Sequence, residues 1–380
     1  MTAVEAYEIR VPDEELEDLR RRLRDARWPE KETVDDWSQG VPLSYLREVC
    51  EYWANEYDWR RVESRLNSFG SFRTVVDGIG IHALHVRSPE PDAMPLVMTH
   101  GWPGSIVEFL DVIGPLTDPA SHGGDPKDAF HVVVPSMPGF GFSDKPTASG
   151  WTTEKIADAW IEIMARLGYD RFAVQGGDYG ALISQNIAQA QPEQVIALHL
   201  SSPTRFPRPE ETAENDAERA ALARVQKYLD EEVGYAKVQM TRPQTIGYGL
   251  ADSPVGQAGW LLQGFWQWTD FEEHISEVFT LDQLLDNVMM YWVTNSGASS
   301  ARAYWESYAS SLKYADSPVT VPMGMSVHPA DITRLSRRWV EKEFTDIRYW
   351  TEVPKGGHQG AFEQPAQFTD EVRTFFRMFR

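Results

Sequence analysis

The segment QGGDYGALIS, residues 175–184, sets Gly176, Gly177 and Gly180 around one carboxylate, Asp178, and its neighbour Tyr179. It ends an apolar run, RFAVQGG (171–177), and opens a helical stretch, the strand-turn-helix context in which a G-x-nucleophile-x-G frame becomes a candidate site. Small neighbours allow a strained turn that pushes the central side chain outward. The plainer alternative is a glycine-rich turn with Asp178 as N-cap. This frame most often carries serine, and aspartate changes the chemistry. Serine attacking a saturated carbon would leave an ether, a dead end. A carboxylate leaves an ester whose carbonyl belongs to the enzyme, so water can release it. Asp178 therefore points to displacement at an sp3 carbon, with a strained ring or a halide as leaving group.

Other residues stand where such chemistry needs them. VPKGGHQGAF places His358 in a glycine-flanked loop after the last strand, where a base can swing freely toward the turn. SVHPAD places Asp331 just past the preceding strand, giving the chain order nucleophile, acid, base. Asp346 and Glu352 are rival acids, but one precedes a strand and the other sits within it. THGWPGS (99–105) also follows a strand, and a tight turn there can aim the Trp102 amide at Asp178, joining the Tyr179 amide as an oxyanion hole. His82 and His85 suggest no metal: three-residue spacing on a strand points them to opposite faces and no further ligands cluster nearby.

The elements around these residues define the fold class as α/β. Short apolar runs PLVMTH (95–100), FHVVVPSM (130–137), RFAVQGG (171–177) and VIALHLSS (195–202) alternate with helical segments, as buried parallel strands do. FRTVVDGIGIHALHVRS reads as a hairpin with Asp77 and Gly78 at its turn. PDEELEDLRRRLRDAR (12–27) and the aromatic-rich 42–69 read as amphipathic helices that wrap another body. Between Pro203 and Pro318 the strand signal fades, and it resumes in PVTVPMGMSV (318–327) and IRYWTEV (347–353), with a last helix from Pro365. The expected division is a wrapping region over 1–94, a core over 95–203 and 318–380, and a helical lid over 204–317 lying above the strand C-termini.

Composition narrows the partners. With 36 basic against 57 acidic residues the 380-residue chain carries a net charge of −21 and no basic block, so nucleic acid has no surface to bind. The single cysteine, Cys50, excludes an internal disulfide and reads as a packed thiol. No basic leader with an apolar core and no run of about eighteen apolar residues occurs, so a cytoplasmic protein without a membrane anchor is expected.

Beyond this pattern, the stretches WPEKETVDDWSQGVPLSYLREVCEYWANEYDWR, THGWPGS, PSMPGFGFSDKP, GGDYG, DSPVGQAGWLLQGFWQW and KGGHQGAFEQP make nearly the whole chain resemble epoxide hydrolases of the α/β-hydrolase fold, in the microsomal and juvenile-hormone branch. The resemblance implies a small-molecule epoxide and water as reactants, a vicinal diol as product, no cofactor, and two lid tyrosines that hydrogen-bond the epoxide oxygen. A phenol with a pKa of about 10 stays protonated at neutral pH and can protonate a departing alkoxide. Local match assigns Tyr235 and Tyr304, with Tyr248, Tyr291 and Tyr308 nearby. Haloalkane dehalogenation is the rival chemistry, but a halide wants an indole beside the nucleophile and an Asn in the HG-x-P turn; Tyr179 and Trp102 stand there. A ligand-binding protein without catalysis is a third reading, against which the set Asp178, Asp331 and His358 argues. The aromatic-rich lid segment GWLLQGFWQW points to a bulky apolar or aromatic epoxide, met in detoxification or in secondary metabolism, and the excess of Arg over Lys fits a GC-rich bacterial genome. A homodimer is the candidate assembly.

Overall fold

The computed structural model describes residues 3–203, 206–208, 210–311 and 318–380. Its centre is a nine-stranded sheet in the order β1-β2-β3-β5-β4-β6-β7-β8-β9. The strands are β1 (Glu5–Ala6), β2 (Ser71–Val76), β3 (Ile79–Val86), β4 (Met94–Thr99), β5 (Phe130–Pro135), β6 (Phe172–Asp178), β7 (Val195–Pro203), β8 (Met323–Val327) and β9 (Ile347–Glu352). The pairs β1–β2, β2–β3 and β3–β5 are antiparallel, and from β5 to β9 all neighbours run parallel. Every residue of β8 is buried, as expected for a strand covered on both faces. Asp77 (φ 47°) and Gly78 (φ 81°) make the expected two-residue turn between β2 and β3, the geometry an Asp-Gly pair favours. Two details differ from the sequence reading. Strand β8 starts only at Met323, with Val319 forming an isolated bridge to Phe344, and the two-residue β1 adds an edge inside the N-terminal helical region.

The chain leaves β4 toward β5 on one side and β6 toward β7 on the other. A crevice therefore opens outside the carboxyl ends of β4 and β6, where open α/β sheets hold their ligands. It is roofed by helices. The N-terminal helices α1 (Asp13–Arg24), α2 (Leu43–Asn55) and α3 (Trp59–Ser68) bury one stripe each, such as Leu16, Leu19 and Leu23 of α1. Helices α4 (Leu110–Thr117), α5 (Thr153–Arg166) and α6 (Tyr179–Ala190) belong to the sheet layers. The lid consists of α7 (Asp216–Lys227), α8 (Gly234–Thr241), α9 (Pro243–Asp252), α10 (Pro254–Trp268), α11 (Leu281–Trp292) and α12 (Gly297–Ser311).

The body that the N-terminal helices wrap is the lid. Tyr57 Oη donates to Asp286 Oδ1 at 2.7 Å, Tyr52 Oη donates to Asp282 Oδ1 at 2.9 Å, and Trp37 stacks on Trp266 at 4.4 Å between ring centres. Cys50 of α2 is buried, and burial pushes its thiol up to about 12, so it is a packing residue.

Candidate active site

Asp178 ends β6 and precedes α6 with φ 53° and ψ −125°. Such a backbone costs on the order of 1–3 kcal/mol for a residue with a Cβ and persists only where the surroundings enforce it. The flanking glycines do so: a Cβ on Gly176 would lie 2.1 Å from the Gly180 carbonyl oxygen, and one on Gly180 would lie 1.9 Å from that of Thr99. Asp178 holds the N-cap position of α6 without a side-chain capping hydrogen bond, so the turn is not explained by capping, and its buried side chain lines an internal cavity rather than standing in solvent. Its two oxygens are held differently. Oδ1 accepts from the Trp102 amide at 2.9 Å, and Oδ2 lies 3.2 Å from His358 Nε2. His358 Nδ1 is 2.7 Å from Asp331 Oδ1, whereas the rival acids Asp346 and Glu352 pair with Arg348 and Arg334. Tyr179 occupies the first position of α6, where a helix amide has no intrahelical acceptor.

His358 is buried, which alone would strip its proton. Hydrogen bonds to Asp178 and Asp331, and the charges of both, outweigh that and push it up to about 10. While Asp178 is an anion the ring is held as imidazolium, and neutralising Asp178 would remove one of its two supports.

Tyr235 (α8) and Tyr304 (α12) come down from the lid onto Trp102, close enough to Asp178 to feel its charge. Tyr235 stacks on Trp102 at 4.8 Å and 7°, and Tyr304 stands edge-on to Trp102 at 5.8 Å and to Tyr179 at 5.0 Å. Burial, reinforced by neighbouring tyrosines and by Asp178, raises both phenols well above their usual value, so they remain donors. The rivals are placed elsewhere. Tyr248 is 70% exposed, Tyr291 donates to the Gly104 carbonyl at 2.6 Å, and the Tyr308 side chain lies outside the described residues.

A groove of ≈ 930 Å³ leads to Trp102 and Tyr235 between the N-terminal segment 27–43 and α10, with Trp28, Trp37 and Trp260 in its walls. Among the described residues no group of three or more His, Cys, Asp or Glu is placed to hold a metal ion, and no helix is long and apolar enough to cross a membrane.

The arrangement offers a carboxylate poised for attack, amides for a developing oxyanion, a histidine paired with an acid, and two phenols across the cavity. The chain as a whole is similar to known proteins. The family description "Epoxide hydrolase N terminus" matches residues 4–109, and "alpha/beta hydrolase fold" matches 94–245. A protein of Stigmatella aurantiaca, whose name marks it as a candidate epoxide hydrolase, is 49% identical over 98% of this chain and 85% of its own length. Epoxide hydrolase 1 of Sus scrofa is 33% identical over 98% of this chain and 88% of its own. The chain belongs to the epoxide hydrolase family. The same placement holds in three dimensions: the crystal structure of the juvenile hormone epoxide hydrolase of Bombyx mori superposes with a TM-score of 0.92 at 30% identity, covering 100% of this chain and 95% of the other.

Some parts of this epoxide hydrolase site escaped the sequence reading. Tyr228, in the π-helical turn Tyr228–Glu232, places its hydroxyl 3.1 Å from that of Tyr235. Trp268, the last residue of α10, packs on Tyr235 at 5.1 Å and on His358 at 5.3 Å. Asn287 donates to the Pro103 carbonyl and accepts from Ser105, both at 2.7 Å, so α11 fixes the turn that carries the Trp102 amide.

The expected freely swinging loop at His358 is instead clamped. Glu363 accepts backbone N–H groups from Gly357 (2.8 Å), Gln359 (3.1 Å) and Asp270 (3.1 Å), and the His358 amide donates to the Trp268 carbonyl at 2.8 Å. Burial pushes Glu363 up to about 7 against those hydrogen bonds. Its signal was present in GGHQGAFE, where a glutamate five residues past the histidine can fold back on the loop.

Proposed function

We propose that the enzyme converts an epoxide to a vicinal diol in two steps through an ester on Asp178. Asp178 Oδ2 attacks an epoxide carbon from the back, the C–O bond of the ring breaks, and Tyr235 and Tyr304 hydrogen-bond and protonate the departing oxygen. Forming the ester removes the charge of Asp178. That weakens the hold on the imidazolium of His358, whose proton passes through solvent to the tyrosinate and leaves a neutral base.

His358, oriented by Asp331, then takes a proton from water as its oxygen adds to the Asp178 carboxyl carbon. The Trp102 and Tyr179 amides hold the oxygen that becomes negative. When the ester bond breaks, the leaving alkoxide takes the remaining proton of the added water. Asp178 returns as an anion beside an imidazolium.

The observation that carries this reading is the unequal treatment of the two Asp178 oxygens, one on an amide at 2.9 Å and one beside His358 at 3.2 Å. A serine at the turn has no second oxygen to place in the oxyanion hole.

We further propose a bulky, largely apolar or aromatic epoxide as substrate. The groove of ≈ 930 Å³ is at the upper end of the range of small-molecule sites, about 300–1,000 Å³, and Trp28, Trp37, Trp102 and Trp260 stand in its wall. The deciding experiment is a His358→Gln variant incubated with styrene-type and aliphatic epoxides: the peptide containing Asp178 should gain the mass of one epoxide. An unmodified peptide with normal diol formation would overturn the covalent route.

A further inference from the structure

A second cavity, of ≈ 20 Å³, lies against Asp178 and His358, and neither lid tyrosine lines it. One water needs roughly 10–15 Å³ and two to four polar partners, so the space holds about one. Its polar walls include Gln175, Gln359 and Glu108. The side-chain oxygens of Gln175 and Gln359 are buried without a hydrogen-bond partner among the described residues, although the two residues are only 1% and 6% exposed. Gln175 Nε2 donates to Ser201 Oγ at 3.2 Å, which leaves Oε1 as the free end of that amide. Buried acceptors left unmet are costly, and a water in this cavity is a donor that can meet them.

Besides Ser201, Glu108 is a further polar group in this wall. It lies in the turn Ile106–Phe109, just past the Trp102 loop, and its Oε2 would lie 2.2 Å from a Cβ on Gly104, so only glycine at 104 lets the carboxyl come in this close. Protein surrounds Glu108 deeply, yet part of its surface remains accessible because it faces the cavity. Burial, and then the charge of Asp178, push its pKa well above the usual carboxylate value, which favours the neutral acid with its O–H and carbonyl oxygen.

We propose that this cavity holds the water that cleaves the ester, and that Glu108 positions it. The proposal rests on the covalent route above. The water gives one hydrogen bond to His358 Nε2 and one to the Glu108 carbonyl oxygen, which turns a lone pair toward the carboxyl carbon of Asp178. The new bond is water oxygen to that carbon, the bond broken is water O–H to His358, and Glu108 exchanges no proton. Epoxide and water thus occupy separate compartments on two sides of one carboxylate, and a bulky substrate filling the groove does not displace the water.

The test is single-turnover quenching of Glu108→Gln and Glu108→Leu with an epoxide that labels Asp178. Alkylation should keep its rate in both. Ester hydrolysis should slow about tenfold in Glu108→Gln, which retains a carbonyl oxygen, and about a hundredfold or more in Glu108→Leu, with ester accumulating. An unchanged hydrolysis rate in both variants would overturn the proposal, and so would a parallel loss of both steps. Failure of the covalent route itself looks different, because no variant, His358→Gln included, would then show an adduct.

Discussion

The two walls of the cavity are built from different physics. The wall on the sheet side is polar and over-determined. Asp178 sits at a positive φ enforced by glycines, Oδ1 is on the Trp102 amide, and His358 is fixed by Asp331, by the Trp268 carbonyl and by the Glu363 clamp. The lid wall is aromatic. Tyr235 and Tyr304 are placed by ring contacts with Trp102, Trp268 and Tyr179, and Tyr235 hydrogen-bonds the Tyr228 and Tyr304 side chains. Directional bonds fix an attacking atom to a fraction of an ångström. Stacked rings fix a hydroxyl within a plane and tolerate sliding, which suits a wall that must accept the oxygen of differently shaped epoxides. The difference assigns the proposed steps: ester formation needs both walls, and ester hydrolysis needs the sheet wall alone.

Substitutions break that assignment in a definite order. Asp178→Ala should abolish turnover, on the order of 10⁴-fold or more, with no adduct by mass spectrometry. His358→Gln should leave alkylation near normal and slow hydrolysis by about 10²–10⁴-fold, read as a burst of ester and little diol. Tyr235→Phe and Tyr304→Phe should each slow alkylation by about 10–100-fold and leave hydrolysis of a pre-formed ester unchanged. If either phenylalanine variant slowed the second step instead, the division between the walls would be wrong. Tyr228→Phe, which removes one hydrogen bond to Tyr235, should cost about threefold to tenfold in alkylation alone.

The smallest effect is on stability. His358 stands at about 10 in the folded protein against an ordinary 6.5, so the stabilisation from its proton is complete below pH 6.5 and is lost as pH rises through about 10. The difference in Tm between the parent and His358→Gln should shrink over that interval, and a constant difference would mean that the imidazolium is not held by its two acids.

The sheet wall was largely readable in the chain because its signals are local. A glycine frame at a strand end, an HGWP turn after another strand, and an acid and a histidine past the last two strands each sit in a short window whose backbone geometry follows from its residues. The lid wall was not. Tyr304 and Tyr308 lie one turn apart on α12, and Tyr291 lies on a lid helix that also faces the cavity roof; only packing directs the Tyr291 hydroxyl to Gly104. Tyr235 and Tyr304 were chosen by resemblance to a family, and the helix pattern alone left all five tyrosines open. Glu108 and Glu363 look like surface glutamates in sequence, and the cavity wall of the one and the burial of the other arise from contacts across the fold.

The clamp at Glu363 also bears on engineering by fragment exchange. Asp270 donates its amide to Glu363 and accepts the Gly356 amide at 2.8 Å, so the end of α10 and the loop of His358 form one hydrogen-bonded knot. A chimera that imported a foreign lid to change substrate range would sever that knot unless residues 268–270 and 356–363 travelled together. Exchange of α9 (Pro243–Asp252) alone leaves both the knot and Tyr235 of α8 intact, which makes that helix the natural cassette for altering which epoxides are accepted.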